Sequence, residues 1–350
     1  MNAVVPGRVA TESSTRRRLA EPGRRPTLFV AAAVAAATLA LPPMLDRSQL
    51  SVFVLLGLSA MVAVGLTLLM GYAGQVSIGQ AAFYAIGAYT AALLSSHDAP
   101  PLLGLAAAPV VAAGCAAVVG GPLLRLRGHQ LAFATIALQL ILVSLLGEWE
   151  WAGGSVGVSG IPLLSVGGFE LDEDLHYAYL TWAALALVLV VAHNVTTSRA
   201  GRALRALATS ETAASASGVP VARYKLAVFT LAAAFAGLAG AIYAFFIGYV
   251  APHSFPVLLS VEFLVMVVVG GLGTLWGALL GAASITLLVQ ALNDLATMPG
   301  MPASAPSILS YAVYATLLIV VVLLLPRGLV SVPSQARRLL RGRTRRTDPG

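Results

Sequence analysis

The chain has 350 residues, of which 58% are hydrophobic and only 10% are charged. Soluble domains carry about 25% charged residues, so this composition excludes a chain that is mainly exposed to water. The 21 Lys and Arg residues outnumber the 14 Asp and Glu residues. In so apolar a chain, this excess marks a cytoplasmic membrane face rather than a nucleic-acid interface. We therefore predict an all-α integral membrane protein, a polytopic helical bundle that crosses the cell membrane several times.

The chain begins with a polar, arginine-rich segment and then becomes apolar. Residues 1–27 are predicted to be a basic cytoplasmic tail, and residues 326–350 are predicted to be a second one. Between them, residues 28–325 form the predicted transmembrane domain, because their apolar runs approach the length of about 20 residues that crosses a bilayer. About ten spans are predicted, at residues 28–45, 50–70, 76–94, 102–124, 131–146, 177–192, 226–247, 257–269, 274–292 and 307–325.

The distribution of basic residues indicates the orientation of the chain. With the exception of Arg47, they are confined to the two tails and to residues 125–127 and 199–225. Ten spans place these four segments on one side of the membrane and most acidic residues on the other. Because Lys and Arg are enriched on the cytoplasmic side, we predict an N-in, C-in topology. Residues 257–292 are either two spans or a re-entrant unit, and both arrangements give the same sidedness.

Glycines and uncharged polar side chains lie between the second and third apolar runs. Gly71 and Gly74 permit tight turns and close helix contacts, and Gln75, Ser77 and Gln80 add hydrogen-bonding groups beside them. Membrane proteins hold polar solutes at such interrupted helices, so we place these five residues near a solute path. A packing face of small residues next to a cytoplasmic turn explains the same pattern, and the sequence leaves both interpretations open.

A polar and basic stretch, residues 199–225, separates two later apolar runs. Arginines recur at every third residue from 199 to 205, so they share one face of a predicted helix. A second, short helix is predicted to begin at a Ser or Thr N-cap near Ser210 and to stop at Gly218. Its residues are small and nearly uncharged, which suits a groove in another protein better than a lipid surface. This stretch is therefore predicted to be an element that a partner protein binds.

Motifs of ATPases, metalloproteases and serine hydrolases do not occur in the chain. Lys225 is the only lysine and follows Tyr224, which excludes the Gly-Lys-Ser/Thr sequence of a phosphate-binding loop. The single cysteine, Cys115, excludes an intrachain disulfide. Ion-coupled transporters need ionisable groups inside the bundle, and Glu262 alone meets this requirement. We predict no catalytic residue, no metal site and no cofactor, and a secondary transporter that uses Glu262 is the less favoured alternative.

The chain resembles the permease subunits of branched-chain amino-acid ABC importers, specifically the LivM-type member of the usual pair. The likeness is carried, in register from about residue 50 to residue 329, by residues 71–89, 126–128, 153–162, 201–225, 260–262 and 270–277. The resemblance implies an ABC importer permease fold and alternating access driven by ATP hydrolysis in partner subunits. It implies four kinds of partner: a homologous second permease, two ATP-binding-cassette ATPases, an extracytoplasmic substrate-binding protein and the lipid bilayer. No nucleic acid is expected.

The basic stretch is similar to the cytoplasmic loop that ABC permeases insert into their ATPases. This likeness implies a role in ATPase coupling for Gly201, Arg202, Arg205, Glu211, Ala213, Ala214 and Gly218.

Three glutamines depart from the family pattern and leave the substrate open. Gln80 stands where such permeases often have histidine, and Gln130 and Gln139 replace residues that are commonly aromatic or charged. Urea and short amides therefore compete with leucine, isoleucine and valine as the expected substrate. The pairing of the permease, with itself or with a distinct homologue, is also open. A membrane scaffold that transports nothing is a third alternative, but it leaves the polar break near Gly71 unexplained.

Overall fold

The structure is a computed structural model that describes residues 42–296 except residues 98, 127, 167–168 and 171–172. It gives no account of the side chains of residues 166, 169–170, 293, 295 and 296. Both predicted tails, the predicted span 307–325 and most of the predicted span 28–45 lie outside the described residues.

Helices dominate the described part of the chain, and short strands join some of them. The α-helices are α1 (Arg47–Thr67), α2 (Gln80–Ser96), α3 (Pro101–Leu123), α4 (His129–Glu148), α5 (Asp174–Thr197), α6 (Arg199–Thr209), α7 (Glu211–Ala216), α8 (Val221–Ile247), α9 (Val257–Gly270) and α10 (Leu275–Ala296). The strands are β1 (Val158–Ser159), β2 (Ser165–Val166), β3 (Phe169–Glu170) and β4 (Tyr249–Val250). Strand β1 pairs antiparallel with β4, and β2 pairs antiparallel with β3.

Each of the eight spans predicted between residues 50 and 292 corresponds to one helix. In the described residues, seven helical stretches are long and apolar enough to cross a membrane. Four are the helices α3, α4, α5 and α8, and the other three are Arg47–Tyr72, which begins with α1, Pro252–Gly270, which ends with α9, and Leu275–Leu292 of α10. Helix α2 has 17 residues, which cover about 25 Å at the α-helical rise of 1.5 Å per residue. Helices α9 and α10 are separate elements that pack on each other, and α9 has 14 residues. The total of ten spans and the N-in, C-in topology stay predictions.

Helices α1, α2 and α8 form the centre of the bundle. In their most apolar stretches, 72% of the residues of α1 and 61% of those of α8 are buried, against 22% in α3. Small residues allow this packing: a Cβ on Gly87 of α2 would overlap the backbone of Gly237 in α8, and one on Gly240 would overlap the carbonyl oxygen of Tyr84. Glycine therefore brings the two backbones into direct contact.

Helix α3 packs on this centre through small residues spaced four apart. Its buried residues are Gly104, Ala108, Ala112, Ala116 and Gly120. The spacing of four keeps them on one face of the helix, so the larger side chains of α3 point away from the centre. Val110 and Val118, for example, are 69% and 77% exposed.

An ion pair joins the starts of α1 and α5. The Nε atom of Arg47 lies 3.1 Å from Oδ2 of Asp174. Arg47 is the one basic residue outside the four basic segments. In the structure it lies next to Asp174, one of the acidic residues predicted to be on the other side of the membrane from those segments. Because the Arg47 side chain is 89% exposed, we expect this pair to contribute less than about 1 kcal/mol to stability.

Candidate functional site

The polar break predicted near Gly71 is a real interruption of the helical structure. Helix α1 widens into a π turn, Leu68–Tyr72, and residues 73–79 then run without helical structure up to α2. The carbonyl oxygen of Leu69 accepts a hydrogen bond from the backbone N–H of Gln75 at 3.0 Å. Gly74 takes a φ of +66°, a left-handed conformation that favours glycine. The break therefore depends on its local sequence as well as on its neighbours.

Three polar side chains of the break are buried without a hydrogen-bonding partner in the described part of the chain. Gln75, Ser77 and Gln80 are 3%, 1% and 1% exposed, respectively. Both side-chain polar atoms of each glutamine and the hydroxyl oxygen of the serine lack a partner there. Buried polar groups in proteins are nearly always paired, because leaving them unpaired costs free energy. Such a set can bind a polar molecule such as water or a solute.

A hydrogen-bond chain from α4 and α9 holds the start of α2 in place. Gln139 donates through Nε2 to the carbonyl oxygens of Phe255 at 3.2 Å and Pro256 at 3.1 Å. Its Oε1 accepts from the hydroxyl of Ser260 at 2.7 Å, and that hydroxyl oxygen accepts from the backbone N–H of Ala81 at 2.9 Å. This series of hydrogen bonds thus satisfies one of the free backbone N–H groups at the start of α2.

Thr135 of α4 fixes the residues just before α2. Its Oγ1 accepts a hydrogen bond from the backbone N–H of Ile78 at 3.0 Å. A Cβ on Gly79 would overlap the carbonyl oxygen of Thr135, so only glycine fits that approach. The break is therefore anchored on α4 at two successive residues.

Replacing Gln139 with leucine tests the hydrogen-bond chain. The change approximately keeps the volume of the side chain but leaves the buried Ser260 hydroxyl, the buried Phe255 carbonyl oxygen and the partly buried Pro256 carbonyl oxygen without this partner. We expect a loss of about 1–3 kcal/mol in stability, the usual cost of an unsatisfied buried group. The measurement is the thermal unfolding midpoint of the purified protein in detergent.

Gln130→Leu is the matched control, because Gln130 is exposed on the same helix. Equal midpoints for the Gln139 and Gln130 variants would show that the chain of hydrogen bonds adds no stability.

The break also contacts the turn between α9 and α10. A Cβ on Gly71 would overlap the backbone nitrogen of Gly273 and would lie 3.4 Å from the carbonyl carbon of Leu272. Two glycine-containing motifs that are about 200 residues apart in sequence therefore meet backbone to backbone. Gly273 has a φ of +92°, so this turn also requires glycine.

Helix α6 lies against the other side of the break. A Cβ on Gly74 would sit 3.2 Å from the Cα atom of Ala208, and the Arg205 guanidinium carbon is 5.9 Å from the centre of the Tyr72 ring. This is within the range of cation–π attraction. The basic stretch and the polar break, two separate predictions from the sequence, are thus in direct contact.

Helix α6 is amphipathic, as its arginine spacing predicted. Its buried residues are Gly201, Leu204 and Leu207, whereas Arg202 and Arg205 are exposed. A Cβ on Gly201 would overlap the carbonyl oxygen of Thr196, so Gly201 serves the sharp turn between α5 and α6. The helix presents a basic face to the solvent and an apolar face to the bundle.

Helix α7 confirms the predicted cap residues. The Ser210 hydroxyl oxygen accepts a hydrogen bond from the backbone N–H of Ala213 at 3.2 Å, which is N-cap geometry. Gly218 follows the helix with a φ of +80°, a left-handed stop. Helix α8 then begins at Val221, so the predicted loop 199–225 extends into the first turns of a membrane helix.

The seven residues predicted for coupling divide into three groups by exposure. Exposed residues, which a partner can touch, are Arg202, Arg205, Ala213 and Gly218. Gly201 and Ala214 are buried against the chain itself, with Ala214 only 2% exposed. Glu211 is half-buried and forms an ion pair with Lys225. The buried members position the element, whereas the exposed members form its free face.

Glu262 and an apolar cavity are two other candidates. Glu262 is half-buried on α9, at the sixth residue of the helix. An apolar cavity of about 410 Å³ lies between α3, α5 and α8 and is lined entirely by hydrocarbon side chains such as Leu187 and Phe235. It offers no hydrogen bond to a polar solute. In the described residues, no group of three His, Cys, Asp or Glu side chains is arranged to hold a metal ion.

Two parts of the site were not predicted as such. Thr135 is a hydroxyl residue inside an apolar run, and that position is the only signal that the sequence offers for it, whereas Ser260 also belongs to the stretch 260–262 that carries the family likeness. The Glu211–Lys225 pair joins the only lysine of the chain to the helix that was predicted for coupling. An isolated lysine at the edge of a span was a usable signal, although it did not identify the partner.

Comparison with known proteins gives the family. A family model described as "branched-chain amino acid transport system / permease component" matches residues 48–322. The chain belongs to this family. Its helices and this membership make it a multi-pass protein of the cell membrane.

Two curated relatives are permease proteins of one named system. The chain is 32% identical over 201 residues to the high-affinity branched-chain amino acid transport system permease protein LivM of Salmonella typhimurium. The same identity and length are found with LivM of Escherichia coli. The aligned stretch covers 51% of this chain and 47% of each relative, so the chain spans about half the length of the curated relatives it matches. No solved structure matches the chain.

Proposed function

We propose that this chain is the permease subunit of an ATP-binding-cassette importer and forms the membrane path for branched-chain amino acids. The observation that carries the proposal is the contact between the exposed basic element, α6 and α7, and the polar break, made through Ala208 and Gly74. Because α6 contacts the polar break directly, a movement of α6 is transmitted to the break with no layer of solvent between them. The names of the two relatives supply the substrate class.

In this proposal the chain is not itself an enzyme, and ATP hydrolysis belongs to partner subunits. Two ATPase subunits bind the exposed face of α6 and α7 of this chain and the equivalent face of a second, homologous permease. An extracytoplasmic binding protein delivers the amino acid at the opposite end of the bundle. The predicted N-in, C-in orientation would put the basic element in the cytoplasm, where ATP is present.

The solute path in this proposal passes the polar break. Gln75, Ser77 and Gln80 supply donors and acceptors that have no partner in the described residues, and Gly71 and Gly74 allow neighbouring backbone to pack closely beside them. These groups are uncharged, so they bind a solute through hydrogen bonds and release it without breaking an ion pair.

A second candidate substrate class is urea and short amides. The buried carboxamides of Gln75 and Gln80 favour it, because a carboxamide pairs with an amide through one donor and one acceptor. The two classes are separated by ATP-dependent uptake of labelled leucine and of labelled urea, each in competition with unlabelled isoleucine, valine or urea. Uptake of urea without uptake of leucine would replace the branched-chain assignment.

The binding of the ATPase is tested at Ala213, a small and exposed residue of α7. Ala213→Trp adds a large side chain to the free face without touching the buried Ala214. We expect the variant to fold normally and to lose most of the ATP hydrolysis activity that co-purifies with the tagged wild-type chain, expressed from its own locus and extracted in mild detergent.

Ala117→Trp on α3 is the control, because it places the same side chain at an exposed position of a membrane helix. It should retain the wild-type level of associated ATP hydrolysis. Retention by both variants would show that α7 is not the ATPase contact, and absence of ATP hydrolysis from the wild-type preparation would contradict the importer proposal.

A further inference from the structure

Helix α7 is too short to hold its own position. It has six residues, whereas isolated helices shorter than about 12 residues are marginal in water. Its orientation therefore depends on contacts with the rest of the chain. The backbone contact is a hydrogen bond from the N–H of Val219 to the carbonyl oxygen of Ala214, at 3.1 Å. It closes the turn after α7 but does not attach the helix to the bundle.

Ala214 of α7 is buried against the chain, and the polar contact that attaches α7 to a membrane helix is the ion pair of Glu211 and Lys225. Glu211 is the first residue of α7, and Lys225 is the fifth residue of α8. The Nζ atom of Lys225 donates to Oε1 of Glu211. The Lys225 side chain is 9% exposed, against 38% for Glu211. Lysine is rarely this buried unless it is paired.

The position of Lys225 is unfavourable without its partner, because a buried ammonium group loses its hydration. Glu211 offsets this cost with its negative charge, and as the first residue of α7 it lies where the helix dipole favours an acidic side chain. The pair thus holds the start of α7 against the second turn of α8.

Helix α8 connects this pair to the centre of the bundle. It packs on α1, α2 and α3, and it meets the backbone of α2 directly at Gly237 and Gly240. A displacement of α7 that is carried by the ion pair is therefore delivered to α2, the helix that begins at the polar break. This route is separate from the contact between α6 and Gly74.

We propose that Lys225 is a positioning residue for energy coupling: its ion pair with Glu211 locks α7 to α8, so that movement of the ATPase reaches the centre of the bundle. The proposal rests on the proposed importer function. It assigns to Lys225 a role in transmission and not in ATPase binding, because the buried lysine is not available to a partner.

The test measures solute transported per ATP hydrolysed by the complete transporter in lipid vesicles. Lys225→Met keeps the length of the side-chain stem and removes the charge. We expect ATPase association to stay at the wild-type level and the transport-to-hydrolysis ratio to fall about tenfold, within the 5–150-fold range of typical coupling between sites. Arg223→Met, which removes an exposed charge two residues earlier, should leave the ratio unchanged.

A charge-reversed pair separates coupling from a general structural role. Glu211→Lys combined with Lys225→Glu restores an ion pair with opposite polarity and should regain a large part of the ratio lost in Lys225→Met. An unchanged ratio in Lys225→Met, or loss of associated ATPase in that variant, would overturn the proposal. If Lys225→Met does not accumulate, the reversed pair decides alone: a ratio near that of wild type supports the lock, and a ratio near zero overturns it.

The outcomes also distinguish the two proposals from each other. Absence of ATP hydrolysis or ATP-dependent uptake in the wild-type preparation contradicts the importer function itself. A wild type that couples ATP to uptake, together with a Lys225→Met variant that couples equally well, contradicts only the role of Lys225.

Discussion

Gly87→Leu is expected to leave little folded protein in the membrane. A Cβ at this position would overlap the carbonyl oxygen and Cα atom of Gly237, so the obstacle is backbone and not a movable side chain. Helices α2 and α8 would have to separate along their whole contact. Overpacking a core typically costs about 1–3 kcal/mol in stability, and it costs more where the neighbouring atoms cannot move. The neighbouring atoms here are backbone atoms, so we expect the larger cost. The measurement is the yield and thermal unfolding midpoint of monodisperse protein after extraction.

Gly114→Leu is the matched control for this prediction. Gly114 lies inside helix α3, and a Cβ on it would meet no atom within 4 Å. This variant should be as abundant and as stable as the wild type, because leucine favours helices more than glycine does. Similar yields from the two leucine variants would show that α2 and α8 do not pack backbone to backbone.

Gly71→Ala is expected to reduce ATP-dependent uptake by more than about tenfold, which corresponds to about 1.4 kcal/mol in the free energy of the affected step. The added methyl group would overlap the backbone nitrogen of Gly273 and push the α9–α10 turn away from the polar break. Gln75 and Ser77, four and six residues further along, would move with the displaced backbone. Uptake of labelled leucine by cells that produce equal amounts of protein is the measurement.

Gly121→Ala controls for the loss of a glycine, because a Cβ there would meet nothing within 4 Å. It should transport at the wild-type rate. The result that would contradict the prediction is normal uptake in Gly71→Ala with unchanged thermal stability. In that case the close contact with Gly273 would have no role in transport.

The helical elements of the bundle could be predicted because their determinants are local. Bilayer thickness sets the length of an apolar run, and eight predicted spans between residues 50 and 292 are helices. The caps of α7 depend on single residues, since the Ser210 hydroxyl accepts from a backbone N–H and Gly218 takes a positive φ. The exposed arginine face of α6 was predicted from its arginines, which are three residues apart.

The packing partners of these elements could not be predicted in the same way. In a soluble helix, the apolar stripe identifies the buried face, but helices such as α1 and α3 are apolar on all sides. The pattern predicted that Gly71 allows close approach without indicating what approaches it, and it did not single out Gly87 or Gly237. The structure supplies these partners, and they lie between about 150 and 200 residues away in sequence.

The sequence by itself determined the class of the protein, the positions of its membrane helices and the short capped helix α7, because hydrophobic length and cap chemistry act within a few residues. Only the tertiary structure decided that the polar break meets both α6 and the turn before α10, and that Lys225 pairs with Glu211. Such contacts depend on which faces of distant helices meet. In a membrane, close backbone packing selects those faces, and hydrophobic periodicity does not.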